Sequence, residues 1–132
     1  MQTTSRPTSG REVLEQFLEA TERRDYAAMA ALAHPDIDMS WPQSGEHFIG
    51  RDNALAAMLA TEEKPEIAGE PRVAGDGSTW VLTIPLRYGA DIYHYAGIFE
   101  LEDGLIRRST EFFGAPFPAQ PARAPFAAPA AG

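Results

Sequence analysis

The chain has 132 residues, a length typical of a single domain with its own core, and 44% of them are hydrophobic, as in ordinary globular proteins. Nineteen acidic residues against eleven basic ones give a formal charge of −8, which disfavours nucleic acid and anionic membrane surfaces as partners. The chain has no cysteine, which excludes disulfides, thiolate metal sites and cysteine nucleophiles.

The first third of the chain carries the pattern of two helices. Residues 1–8 have no apolar periodicity, and we expect them to be a disordered N-terminus. Ser9 and Glu12 have the spacing of a capping box, and apolar residues at helical spacing follow them. Asp25 is expected to cap a second, short helix that ends before Pro35.

A short strand and a third helix follow. Alternating apolar and polar residues predict a strand over 37–41, and the polar stretch from Pro42 to Gly50 predicts a loop. The third helix is expected to begin near Asp52 and to end before Glu63.

The second half predicts four strands that pair as an antiparallel meander. Short glycine-containing segments of hairpin length separate them, so that the strands cover residues 66–74, 78–88, 92–102 and 105–113. Strand alternation places one apolar set on a single face (Trp80, Leu82, Ile84, Leu86, Tyr88) and a second set on the concave face (Tyr93, Tyr95, Gly97, Phe99, Leu101).

The end of the chain is rich in alanine and proline, a composition typical of extended backbone. We therefore place the domain over residues 9–118 and expect a tail over 119–132. Phe117 and Phe126 are candidates for anchoring this segment to the domain or to a partner subunit.

Four segments follow one another in a distinctive order: FLEA with RD within 17–25, AHPD at 33–36, GIFELEDG at 97–104 and EFF at 111–113. With the order of elements, they resemble the nuclear-transport-factor-2-like superfamily, most closely its SnoaL-like, polyketide-cyclase-like branch, over about residues 9–120. The resemblance implies an α+β, cystatin-like fold. In this cone-shaped roll a curved, mainly antiparallel sheet wraps around three N-terminal helices and leaves a pocket against the first helix.

The resemblance also implies catalytic sets that the chain does not match. The ketosteroid isomerase pattern places its oxyanion tyrosine on Phe17, its basic aspartate on Trp41 and its protonated acid on Gly97, and none of these residues can fill its role. Limonene-epoxide-hydrolase-like members use an Arg-x-Asp pair on a middle strand, where this chain has only STWVL at 78–82.

Glu111 is the one candidate catalytic residue, because it matches the last-strand carboxylate of the epoxide hydrolases and the acidic pocket residue implied for SnoaL-like cyclases. A concave Glu111 would be a desolvated acid or base with a raised pKa. The alternative is a rim carboxylate paired with Arg107 or Arg108. The ligand-binding candidates are aromatic residues suited to a flat, partly polar ligand: Phe17, Trp41, Trp80, Tyr88, Tyr95 and Phe113.

The three histidines lack metal-ligand spacing, and strand parity turns His94 outward, so no metal site and no cofactor are predicted. We expect a protein that binds a hydrophobic or aromatic small molecule, as an acid–base enzyme of cyclase, isomerase or hydrolase type on a carbonyl-bearing or polycyclic substrate. The alternative is a non-catalytic binding or protein-interaction module. An apolar convex face with Val81 and Ile98 predicts a homodimer, and the lack of a signal peptide or membrane span predicts a cytoplasmic location.

Overall fold

Three α-helices, a seven-stranded mixed sheet and one 3-10 helix make up the computed structural model, which describes residues 9–129. The helices are α1 (Gly10–Glu22), α2 (Tyr26–Ala31) and α3 (Arg51–Ala60), and the 3-10 helix covers Pro121–Phe126. The strands are β1 (Ala33–Trp41), β2 (Glu46–Ile49), β3 (Glu66–Ile67), β4 (Arg72–Asp76), β5 (Thr79–Tyr88), β6 (Asp91–Glu102) and β7 (Leu105–Gly114). The predicted α+β class is confirmed. The prediction for residues 1–8 lies outside the described residues, as does the end of the predicted tail.

The strands lie in the order β2-β1-β7-β6-β5-β3, and β4 also pairs with β5. All pairs are antiparallel except β1 with β7, which run parallel. The predicted meander of the last strands is therefore confirmed. The parallel pair places the first strand of the sheet directly beside the last.

Two helix caps are as predicted. The Ser9 hydroxyl accepts a hydrogen bond from the Glu12 amide (3.2 Å), and the Asp25 carboxylate accepts one from the Ala28 amide (3.0 Å). Both side chains satisfy amides that have no partner within the helix. The apolar face of α1 is buried against the sheet (Val13, Leu14, Phe17, Ala20).

Three strand boundaries differ from the prediction. β1 begins at Ala33 rather than at residue 37, and its pairing with β7 shifts register before Asp38, an irregularity that hides the alternation around Pro35. β2 lies in the segment that was predicted to be a polar loop. This edge strand was not predicted because its residues are exposed or half-buried and show no apolar alternation. The predicted strand 66–74 is two strands with a break over residues 68–71, where Pro71 of the segment and Pro85 of β5 both lack an amide to donate.

The predicted strand faces are confirmed. Trp80, Leu82, Ile84 and Leu86 of β5 are buried, as are Tyr95, Gly97 and Phe99 of β6, while Val81, Ile98 and Phe112 lie 38–39% exposed on the outer face. In the described chain Phe117 and Phe126 are 80% and 88% exposed, so neither ring anchors the C-terminal segment to its own domain. Within residues 9–129 no helix has the length and hydropathy needed to cross a membrane.

Candidate functional site

A cavity of about 370 Å³ lies between the inner face of the sheet and the helices. α1 contributes Phe17, α2 contributes Tyr26 and Met29, and α3 contributes Met58. The sheet contributes further rings and aliphatic side chains from β1, β5, β6 and β7 (Trp41, Ile84, Leu86, Tyr88, Tyr93, Tyr95, Phe113). A mainly apolar enclosure with a few polar groups is typical of a small-molecule site.

Glu111 is the buried acid of this cavity, with 7% of its surface exposed. Because β7 lies between β1 and β6, each neighbouring strand supplies one donor to its carboxylate. The Trp41 indole Nε1 donates to Oε1 (2.9 Å), and the Tyr95 hydroxyl donates to Oε2 in a short hydrogen bond. The topology thus brings Trp41 to Glu111, 70 residues away in sequence, beside Tyr95 of the neighbouring strand.

Gly97 makes the contact between Tyr95 and Glu111 possible. Gly97 is the residue of β6 that pairs directly with Glu111, and a Cβ atom added to it would lie 2.6 Å from the Tyr95 hydroxyl oxygen and 2.6 Å from Cε2 of Phe99. The missing side chain therefore leaves the space that the Tyr95 hydroxyl fills. This is the position at which the isomerase pattern places its protonated acid.

Gln43 holds the end of β7 beside β1. Its Nε2 donates to the Phe113 carbonyl (3.0 Å), and its Oε1 accepts from the Phe113 amide. The Phe113 ring packs edge-on against the rings of Trp41 (centroids 5.7 Å apart) and Tyr95 (5.3 Å). The Gln43 amide thus keeps in place the ring that contacts both donors to Glu111.

Burial raises the pKa of Glu111, and the hydrogen bonds from Tyr95 and Trp41 partly offset that rise because they favour the ionised carboxylate. Burial, and then the charge of Glu111, hold the pKa of Tyr95 well above its usual value. Burial and the neighbouring Tyr26, Glu63, Tyr93 and Glu111 raise the pKa of Tyr88 to about 12. The two phenols are therefore neutral, and Glu111 is the buried carboxyl group among the lining residues described.

The alternative position for Glu111, a rim carboxylate paired with arginine, differs from the observed one. Arg107 lies 4.0 Å from Glu102, and Arg108 lies 3.9 Å from Glu100. Both arginines thus have carboxylate neighbours outside the cavity lining.

Of the predicted site residues, Glu111, Phe17, Trp41, Tyr88, Tyr95 and Phe113 all line the cavity, and their binding of a ligand stays a prediction. Trp80 is not among the residues that line the cavity. Its Nε1 donates to the Gly77 carbonyl (2.9 Å), and its ring packs under Gly10 at the start of α1. Trp80 shares a strand face with Tyr88 but stands eight residues away, roughly 27 Å along an extended strand.

Several lining residues were absent from the predicted site. Tyr93 has the same parity as Tyr95 and could have been included on that signal. Gln43, Glu63 and Lys64 lie between regular elements, where no periodicity indicates which way a side chain points.

His94 is exposed, as strand parity predicts. Among the described residues, His34, Glu102 and Asp103 have potential ligand atoms within 4.8 Å of one another, at the β6–β7 turn and outside the cavity lining. Glu102 and Asp103 are exposed, and exposed acidic groups are common without an ion. The absence of a metal site stays a prediction.

Comparison with known proteins places this geometry among related folds. Residues 14–109 match the family model described as a SnoaL-like domain. An NTF-2 like protein of unknown function from Burkholderia xenovorans LB400 is 28% identical with a TM-score of 0.81, covering 92% of this chain and 94% of that one. A candidate ketosteroid isomerase from Kribbella flavida DSM 17836 is 21% identical with a TM-score of 0.81, covering 92% and 90%.

A candidate polyketide cyclase from Sinorhizobium meliloti is 18% identical with a TM-score of 0.63, covering 76% of this chain and 93% of that one. No curated protein sequence is significantly similar to the chain.

Proposed function

The chain belongs to the SnoaL-like domain family, and from this premise we propose that its cavity binds a hydrophobic or aromatic small molecule on which Glu111 performs acid–base chemistry. The reaction class is that of a cyclase, isomerase or hydrolase, and the substrate carries a carbonyl group or a polycyclic body. One observation carries the proposal: a buried carboxyl group lies in an aromatic cavity, held by donors from both neighbouring strands.

The chemistry follows from the surroundings of Glu111. Because burial raises its pKa, the carboxyl group holds its proton at a higher pH than an exposed glutamate does. As an acid it gives that proton to a ligand oxygen, and as a base it takes a proton from a carbon next to a carbonyl. Trp41 and Tyr95 are positioning residues, since their hydrogen bonds fix the orientation of the carboxylate.

A second function, a binding module without catalysis, is favoured by a different observation. Phe17, Trp41 and Gly97 occupy the isomerase positions without the required groups, and both Glu111 oxygens already accept hydrogen bonds within the protein. In that case the role of Glu111 is limited to the shape of the cavity and the choice of the ligand that binds there.

Turnover by matched variants decides between the two functions. Ligands found in a screen are titrated by tryptophan fluorescence. Trp41 lines the cavity and reports binding, whereas Trp80 lies outside the lining and contributes a constant background. Each ligand that binds is then tested for turnover by wild type, Glu111→Gln and the control Glu100→Gln, whose carboxylate lies near Arg108 outside the cavity lining.

Acid–base function predicts a loss of about 10²–10⁴-fold in Glu111→Gln alone. Equal rates in all three proteins exclude Glu111 as the catalytic residue. Ligands that bind and are not converted by wild type support the binding module.

We also propose that two copies associate through the outer face of the sheet. Val81, Ile98 and Phe112 are large apolar side chains, each 38–39% exposed on that face. An apolar patch of this kind on a sheet is typical of a protein interface.

A further inference from the structure

Aromatic rings and acidic groups share the same cavity. Seven aromatic side chains line it, and three of them, Trp41, Tyr95 and Phe113, are joined to Glu111 or to one another by hydrogen bonds and edge-on ring contacts. The faces of such rings carry negative electrostatic potential and attract cations.

The charged groups that line the cavity are unequal in sign. Glu46, Glu63 and Glu111 are acidic, and Lys64 is the one basic residue among the lining residues described. The Lys64 ammonium group donates to the Leu59 and Thr61 carbonyls and lies 5.9 Å from the centre of the Tyr26 ring. One ring of the cavity thus already faces an ammonium group.

We propose that the ligand is a cation, with a tertiary or quaternary ammonium group joined to an apolar body. The ammonium group lies among the rings beside Glu111, and the apolar body lies against the aliphatic lining side chains Met29, Met58 and Ile84. This proposal rests on the proposed function, because it names the ligand class of the same cavity.

The chemistry of methylated ammonium groups fits this lining. Their charge is spread over methyl groups that pack well against rings. A quaternary ammonium group has no N–H and a tertiary one has a single N–H, so they need fewer hydrogen-bond acceptors than the three N–H groups of a primary ammonium. A carboxylate at the side of the rings adds a charge interaction that a purely aromatic cavity lacks.

A pair of ligands with the same shape and different charge tests the proposal. Choline and 3,3-dimethyl-1-butanol differ by replacement of the ammonium nitrogen with carbon. Affinities are measured by isothermal titration calorimetry, and the indole N–H signals of Trp41 and Trp80 are followed by NMR. We expect choline to bind wild type at least about tenfold more tightly and to shift the Trp41 signal with little change at Trp80.

Variants locate the source of the preference. Glu111→Gln is expected to bring the ratio of the two affinities close to one, while Glu100→Gln makes the same change in net charge and retains the ratio. Phe113→Leu removes a ring that makes no side-chain hydrogen bond, and it is expected to weaken choline more than the alcohol. Thermal unfolding of each variant confirms that it is folded, and Phe113→Leu tests the rings if Glu111→Gln does not fold.

The outcomes separate this proposal from the proposed function. If the alcohol shifts the Trp41 signal and binds as tightly as choline, the ligand is not selected for charge, while the cavity remains a small-molecule site. If choline keeps its advantage in Glu111→Gln and Phe113→Leu, the preference arises elsewhere and the proposed position is wrong. If neither compound shifts the Trp41 signal, the ammonium proposal is wrong, while the proposed function is decided separately by the ligand screen and the turnover assay.

Discussion

Adding one methyl group at Gly97 tests the packing that positions the Glu111 carboxylate. In Gly97→Ala the new Cβ would lie 2.6 Å from the Tyr95 hydroxyl oxygen and 2.6 and 2.9 Å from two carbons of the Phe99 ring. Phe99 is 1% exposed and cannot swing into solvent, so the Tyr95 hydroxyl must move away from Glu111. The variant therefore combines overpacking with the loss of a buried hydrogen bond.

The expected cost follows from those two effects. Overpacking of a buried site costs about 1–3 kcal/mol, and the lost hydrogen bond to a carboxyl group costs about 1–3 kcal/mol. Replacing glycine lowers the entropy of the unfolded chain and returns about 0.4–1 kcal/mol. We expect the free energy of unfolding to fall by about 2–4 kcal/mol, a large fraction of the roughly 5–15 kcal/mol of a typical domain.

Urea unfolding of a double-mutant cycle isolates the contact. Tyr95→Phe removes the hydroxyl that the methyl group would strike, so Gly97→Ala should cost less in that background, with a coupling of about 1–2 kcal/mol. Gly69→Ala is the control, because its added Cβ would crowd Pro85 Cγ (2.9 Å), so its cost should add to that of Tyr95→Phe. Additive costs for Gly97→Ala and Tyr95→Phe, within about 0.5 kcal/mol, would refute the reasoning.

Three further predictions concern stability and assembly. The pKa of Glu111 is higher in the folded state than in the unfolded state, so between these two pKa values the native state binds more protons than the unfolded state. The free energy of unfolding of the wild type should therefore fall as the pH rises from the usual glutamate pKa towards the folded pKa. Glu111→Gln should lack that fall in urea unfolding from pH 4 to 8, and equal slopes would contradict the assignment. Sedimentation at micromolar concentration should show that the wild type is a dimer. Ile98→Lys, which places a charge on the exposed outer face, should dissociate this dimer, and a monomeric wild type would exclude the proposed association. Truncation after Gln120 should leave a cooperatively melting domain, because the described residues beyond it are exposed, and loss of that transition would show an anchoring role.

Local patterns were sufficient for the helices and for the faces of the long strands. The side chains of β5 alternate between buried and exposed along most of the strand, as the apolar residues at Leu82, Ile84 and Leu86 predict. The same argument fails for β2, an edge strand that buries little and so has no apolar alternation. The break between β3 and β4 covers residues 68–71, and both Pro71 within the segment and Pro85 of the partner strand lack an amide to donate there, so part of this signal was present in residues 66–74.

The site was predictable in part, and the limit is topological. Parity and the family resemblance indicated that Glu111 faces inward, but its donors depend on the position of β7 between β1 and β6. The parallel pairing of β1 with β7 joins strands separated by about half of the chain, and no local sequence pattern indicates it. Trp80, which does not line the cavity, shows a second limit, since parity determines the face of a residue and not its position along the strand.

The two donors to Glu111 are not equivalent, and this limits where its proton can reside. An indole N–H only donates, so Oε1 must remain an acceptor for Trp41 in both protonation states. A phenol hydroxyl both donates and accepts, so a proton on Oε2 can be donated to the Tyr95 oxygen, which turns the Tyr95 hydrogen away from the carboxyl group. The protonated site therefore releases a phenol donor for a neutral ligand oxygen, while the ionised site keeps that donor and presents a negative charge to a cation. Proton donation to a carbonyl oxygen and selection of an ammonium ligand thus depend on opposite protonation states of the same carboxyl group, whereas proton abstraction by Glu111 needs the same ionised state as the ammonium ligand.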